Sequence, residues 1–257
     1  MNWLKVISFA SLALLVVPVA VLLYEGFGPL ASSEGYSSTV FRSIALTLTS
    51  SGIAAVLCAL VFTPLAFYFA RNTSRVAQTL ADIPATIPHP IVGVALLVLS
   101  SPLTPSGRFL ASIGINLFDT VLGLVVALVV VSAPIYVKAM QPFFESMNQS
   151  HENFAYGLGA SKLWAFSFIV VPNAERGILS ASLIAMSRAM SEFGSIAILA
   201  YYVLGGPFNG VSAASVLIYN LYTNSGLSAA ATASAVMILV SFVLMFTLRL
   251  IQRGSRK

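Results

Sequence analysis

Long charge-free runs alternate with short polar stretches along most of the chain. The first run, Val6 to Tyr24, follows Lys5 and predicts membrane span 1. A secretory signal is the rival reading, but its apolar region is shorter and ends at a small-residue cleavage site. Glu25 to Arg42, with Gly26, Gly28 and Pro29, predicts a loop. Ser43 to Ala70 is long enough for a tilted span 2. Within it Ser51, Ala55 and Ala59 form a stripe of small residues that permits close helix packing. Arg71 to Asp82 reads as a short basic turn, and span 3 follows from about Ile83 to Ser101. Pro84, Pro88 and Pro90 surround His89 at its start, and such a cluster breaks a helix. Irregular backbone at membrane depth is tolerated only beside protein or a wet cavity. Pro102 to Asp119 is a loop and Thr120 to Val137 is span 4. Lys138 to Phe168 is a polar, wet segment, and span 5 runs from near Gly177 to near Tyr202. Leu204 to Leu227 is loop-like, with room for a short re-entrant helix over Val211 to Tyr222. Ser228 to Leu248 is span 6, ahead of a tail carrying Arg249, Arg253, Arg256 and Lys257.

The wet segment holds the most informative stretch, Glu152 to Pro172, which carries Glu152, Asn153, Ser161 and Lys162 between apolar runs. Its spacing predicts two short helices around a sharp bend. Ala155 and Leu158 suit a last helical turn, and Gly159 can take the left-handed conformation that ends it. Ser161 can cap the next helix, and Pro172 falls near a helix start where the chain returns to the membrane. A bent helix pair on the wet face of a membrane protein is a docking knob for a partner.

Composition places the chain among membrane proteins. Of 257 residues 58% are hydrophobic and 8% charged, with a mean hydropathy of +0.93; soluble domains carry roughly 25% charged residues. The net charge of +5 reflects orientation rather than nucleic-acid binding. Lys5, Arg71, Arg75, Lys138, Lys162, Arg176 and the four tail residues fall on one face, against Arg42 and Arg108 on the other. The positive-inside rule then puts both termini and the wet segment in the cytoplasm. Six spans close consistently, giving an all-α integral membrane protein with one transmembrane domain over 1–257. The single cysteine, Cys58, lies in an apolar run, so the thiols build neither a disulfide framework nor a metal site.

Span 5 contains the most expensive residues. Arg188 and Glu192 lie near its middle, where an ionised side chain costs roughly 2.5–3.5 kcal/mol. Spaced by four on a helix, they can pair. A structural ion pair and a polar lining for an anion pathway are both open. Ala181, Ala185 and Ala189 form one small stripe, and Ser187, Ser191 and Ser195 another, both suited to close packing.

The stretch around Gly159 resembles the EAA loop of ABC-transporter permeases, the membrane subunits of binding-protein-dependent importers. Leu158 to Ser161 match the Leu-Gly-Ala-Ser core, with Ala160 within it, and Ala155 matches the motif's second Ala. Ile169, Val171 and Pro172 stand at the family's distances from Gly159. The family Glu aligns with Asn153, Glu152 lies one residue early, and the first Ala is Phe154. The coupling loop then spans about 139–172. Arg188 to Gly194 and Ala200 to Tyr202 resemble the span-5 signature of molybdate, tungstate and sulfate permeases. Ile87 to Leu96, Ala133 to Val137 and Gly226 to Ala230 resemble archaeal-type molybdate/tungstate permeases. The resemblance implies a homodimer with two cytoplasmic ATPases, which hold ATP and Mg, and an extracellular oxyanion-binding protein. It implies a pathway between the two copies, gated by spans 3 and 5. Candidate pathway residues are Pro88, His89, Arg188, Ser191, Glu192 and Gly194.

Other classes lack their parts. The sequence contains no G-x-x-x-x-G-K-[ST] loop, so ATP is expected on another chain, and no catalytic set or cofactor is expected here. His89 and His151 lie in different segments, which argues against a His-based metal site. His89, among prolines, could meet an anion, but satisfying local backbone is the favoured expectation, and His151 is expected to lie on the loop surface. A self-contained anion carrier would show an internal repeat with broken helices in both halves; only span 3 reads as broken.

Overall fold

The computed structural model describes residues 2–72 and 74–254, and helices account for nearly all of its regular structure. Four helices are long and apolar enough to cross a membrane by length and composition: α1 (Asn2–Phe27), α2 (Ser38–Arg71), α6 (Val121–Ser146) and α13 (Leu227–Gly254). Two bent pairs pass the same test together, and counting each pair as one span gives six among the described residues. In the first, α3 (Arg75–Thr86) and α4 (His89–Ser100) meet at 102°. In the second, Lys162–Asn173 and α10 (Glu175–Met190) meet at 75°.

Prolines place the first bend. Pro84 sits in the last turn of α3, Pro88 is the N-cap of α4 and Pro90 falls in its first turn. Pro88 disfavours helical geometry at Ile87, whose backbone is extended, so the chain must leave α3 before α4 can begin. The expected basic turn over Arg71 to Asp82 is therefore mostly helix. Span 4 also runs beyond Val137, to Ser146, because Pro142 does not stop it and Phe144 is buried. The coupling loop's first residues, 139–146, thus belong to α6.

The core is built where α2 packs against α6 and α10. Leu46, Leu124, Leu128, Ile196 and Leu199 form one buried cluster, and Cys58, Phe69, Tyr136, Met140 and Phe144 another. Tyr136 is fully buried, and its hydroxyl lies 2.6 Å from that of Thr63, so its polar end is satisfied. Ser51 and Ala55 are buried as the small-residue stripe requires. So are Ala181, Ala185 and Ala189, whereas Ser187 and Ser191 are exposed and only Ser195 of the serine stripe packs inside. Helix α1 touches α13 and otherwise presents its apolar residues outward. Helix α12 (Ala214–Asn224) occupies most of the expected re-entrant region. Arg256 and Lys257 of the basic tail lie outside the described residues.

Candidate functional site

Two polar sites stand out, one on the segment after α6, around Gly159, and one where α4 meets the break after α10. On the loop, α7 (Ser150–Gly157) ends at Leu158, and Gly159 turns the chain with φ +88°. A side chain there would be strained whatever room surrounds it. Ser161 caps the following helix, its Oγ accepting from the Trp164 amide at 3.2 Å. That helix, α8 (Lys162–Ala165), passes through a π-turn at Phe166–Val170 into α9 (Val171–Asn173). Pro172 has no N–H to continue the α-helical ladder, and the Val171 amide instead bonds Phe166. The expected second helix is thus a helical run with a bulge. It exposes Leu163, Trp164 and Phe168, the last two rings 5.3 Å apart, next to the exposed Leu158 of the bend. A cleft of about 590 Å³ opens beside Phe154, Gly159 and Trp164. Asn153, Lys162 and Pro172 are exposed, Ala160 is half-buried and Ala155 is buried.

Glu152 faces the other way. It is buried, and its carboxylate accepts from Arg71 Nη2 at 2.7 Å and from Nε at 3.4 Å. Arg71 Nη1 also donates to the Phe144 carbonyl at 2.8 Å, and the guanidinium stacks 5.2 Å from the Phe67 ring centre. One arginine thereby ties the ends of α2 and α6 to α7. Sequence reasoning placed Arg71 only among the bases of a turn; nothing local links it to an acid 81 residues away. His151 is exposed, as expected.

The second site lies where two irregular segments touch. Helix α10 ends at Met190, and span 5 is not one helix: Ser191 to Ser195 are irregular before α11 (Ile196–Leu199). Arg188 is in the last turn of α10, and Glu192 lies just past its end. Close backbone approach fixes this break against α4. A Cβ on Gly194 would lie 2.8 Å from Pro90 Cδ, and one on Gly93 would lie 2.6 Å from the Ser195 carbonyl oxygen.

The two segments bring His89, Arg188 and Glu192 together. Glu192 Oε2 accepts from Arg188 Nη2 at 2.8 Å and lies 3.1 Å from His89 Nδ1. Its Oε1 accepts from the Ser195 amide and hydroxyl, both at 2.8 Å. Arg188 Nη2 also lies 2.8 Å from His89 Nδ1 and 2.9 Å from its Nε2. The Arg188 guanidinium and the His89 ring thus meet at the same carboxylate oxygen. The Glu192 side chain is 0% exposed, against 21% for Arg188 and 32% for His89. Arg188 Nη1 reaches Ser191 Oγ at 3.2 Å, and Ser215 of α12 donates to the Glu192 carbonyl at 2.7 Å. The expectation that His89 satisfies local backbone is thus corrected: its ring joins the span-5 pair. Pro88 and Ser191 are exposed beside it, and Gly194 is half-buried. Sequence reasoning missed Ser195 and Ser215 as partners of this site. Only the spacing of three between Glu192 and Ser195, which resembles a local cap, hinted at the first.

Residues 52–257 match the family described as binding-protein-dependent transport system inner membrane component. The chain is 32% identical to the molybdate/tungstate transport system permease protein WtpB of Pyrococcus furiosus, over 84% of the chain and 80% of that protein. It is 29% identical to the sulfate transport system permease protein CysT of a Synechocystis strain, over 99% of the chain and 90% of that protein. A bacterial ABC transporter that imports alginate shares the fold, with a TM-score of 0.70 at 20% identity, covering 100% of this chain and 97% of that one. The MetNI methionine ABC transporter in an inward-facing state follows, with a TM-score of 0.58 at 18% identity over 85% of this chain and 94% of that one. The chain therefore belongs to the binding-protein-dependent transport system inner membrane components, the membrane subunits of ABC importers.

Proposed function

We propose that this permease carries tetrahedral oxyanions, molybdate or tungstate first, through a pathway formed with a second copy of itself. Its termini and coupling loop face the cytoplasm, where two ATPase subunits bind ATP and Mg and dock on the exposed apolar knob around Gly159. An external binding protein delivers the anion. Arg188 carries the reading: a cation held where two broken spans touch, still partly open, suits an anionic solute. The likeness of Ile87 to Leu96 and Ala133 to Val137 to molybdate/tungstate permeases favours those anions.

Sulfate is the second reading, favoured by the alignment of nearly the whole chain with a sulfate permease. Sulfate shares the tetrahedral shape and double charge, so a few donors at one arginine discriminate weakly. The test is uptake of labelled tungstate by proteoliposomes holding the permease, its ATPase and loaded binding protein. Competition by excess molybdate with little effect of sulfate supports the first reading. Uptake of sulfate alone keeps the transporter class and replaces the substrate. Uptake of none of these anions, with binding protein and ATPase intact, overturns the oxyanion assignment.

A further inference from the structure

The donors around Glu192 form a complete carboxylate site. Four groups converge on its two oxygens: Arg188 and His89 on Oε2, and the amide and hydroxyl of Ser195 on Oε1. Donor sets of this kind, with a fixed cation and a backbone amide, hold tetrahedral oxyanions as readily as carboxylates. The carboxylate is shut in, while the far edges of the same donors are open. Arg188 and His89 are partly exposed, and Ser191 beside them is exposed. A guanidinium has five N–H groups and keeps its charge; Glu192, His89 and Ser191 use only part of that fork.

We propose that Glu192 is a built-in counter-anion, which occupies the Arg188–His89 donors and so keeps the pathway from trapping its solute. The proposal rests on the oxyanion reading above. With the carboxylate in place the pair is neutral, and a passing dianion meets only the spare edge of Arg188 and Ser191. Without it the same pocket would present an uncompensated cation, a ring N–H, two hydroxyls and an amide. Such a pocket is a trap, whereas conduction needs a site that binds weakly enough to release. Gly93 and Gly194 hold the two breaks close enough for one carboxylate to engage donors from both.

The test uses purified full-length permease in detergent, with thermal unfolding followed against sodium molybdate, sodium sulfate and sodium chloride at equal ionic strength. Wild type should show little stabilisation specific to the oxyanions. Glu192→Gln keeps the shape and one of the two acceptor oxygens but removes the charge. It should bind molybdate or sulfate at least about ten-fold more tightly than wild type, the scale of one charge-assisted hydrogen bond. Adding Arg188→Gln should abolish that gain. Glu192→Asp keeps the charge but shortens the reach to Arg188, and it should gain less; it decides the question alone if Glu192→Gln does not fold. Folded variants with no oxyanion-specific gain overturn the proposal, as does a gain that survives Arg188→Gln. Stimulation of ATP hydrolysis in the wild-type assembly by loaded binding protein tests the importer reading without involving Glu192. If the wild-type assembly takes up no oxyanion from loaded binding protein while Glu192→Gln gains anion binding, the oxyanion reading falls and the site stands.

Discussion

Two arginines meet buried carboxylates at nearly the same distance among the described residues: 2.7 Å for Arg71–Glu152 and 2.8 Å for Arg188–Glu192. The surroundings differ. Arg71–Glu152 joins segments 81 residues apart and borders an open cleft of about 700 Å³ that also includes Lys162, Tyr68 and Asn153. Water can therefore reach either partner if the other is lost. Arg188–Glu192 joins residues four apart, but His89 comes from another span and the carboxylate is wholly enclosed. One pair is a strap from membrane span to loop. The other is a polar hub where the broken spans touch, and its carboxylate, left without Arg188, is wholly enclosed. Equal geometry therefore does not mean equal energy.

Removing one partner from each pair should expose that difference. Arg188→Leu leaves a carboxylate enclosed with only His89 and Ser195 as partners, and such losses cost about 3–5 kcal/mol. Thermal unfolding of the extracted permease should show the largest drop in this variant. Arg71→Leu should cost less, about 1.5–3 kcal/mol, the worth of hydrogen bonds to a charged group. Its larger effect should be on function: with α7 released from α2 and α6, binding-protein-stimulated ATP hydrolysis should persist poorly while the spans stay folded. Equal destabilisation by the two variants would contradict the distinction drawn between them.

Two glycines sharpen the comparison further. Gly194→Ala drives a methyl group against Pro90 and His89, and overpacking of this kind costs about 1–3 kcal/mol. It should lower stability and uptake together, because it separates the two broken spans. Gly159→Val meets no neighbour within 4 Å, yet it forces a β-branched residue to φ +88°. On an exposed loop the strain should be about 1 kcal/mol, the low end for such backbones. Stability should barely change, and co-purification with the ATPase should fall. Normal co-purification would remove the docking role from this bend.

Much of this was legible in the sequence, unevenly. Charge-free runs placed the four long helices, and the Gly159 bend, the Ser161 cap and the Pro88 break followed from local backbone chemistry. Pairings between distant segments were not legible. Arg71 read as one more base at a membrane edge, because a 2.7 Å contact across 81 residues leaves no periodic trace. The break after Met190 was hidden because Ser191 to Ser195 contain no proline, and their irregularity comes from Glu192 bonding the Ser195 amide and from Gly194 packing on Pro90. The contact of His89 with Arg188 and Glu192 was hidden for a related reason: its partners lie about a hundred residues on, in that same break.

In the proposed importer this chain forms the path while another chain supplies the energy through the Glu152 to Pro172 loop. The most direct measurement is oxyanion accumulation by proteoliposomes containing the permease alone, compared with the permease plus ATPase, ATP and loaded binding protein. The account predicts no ATP hydrolysis and no accumulation by the permease alone, and ATP-dependent accumulation by the complete assembly that is lost with Gly159→Val. Accumulation by the permease alone under an ion gradient would contradict it and identify a self-contained carrier.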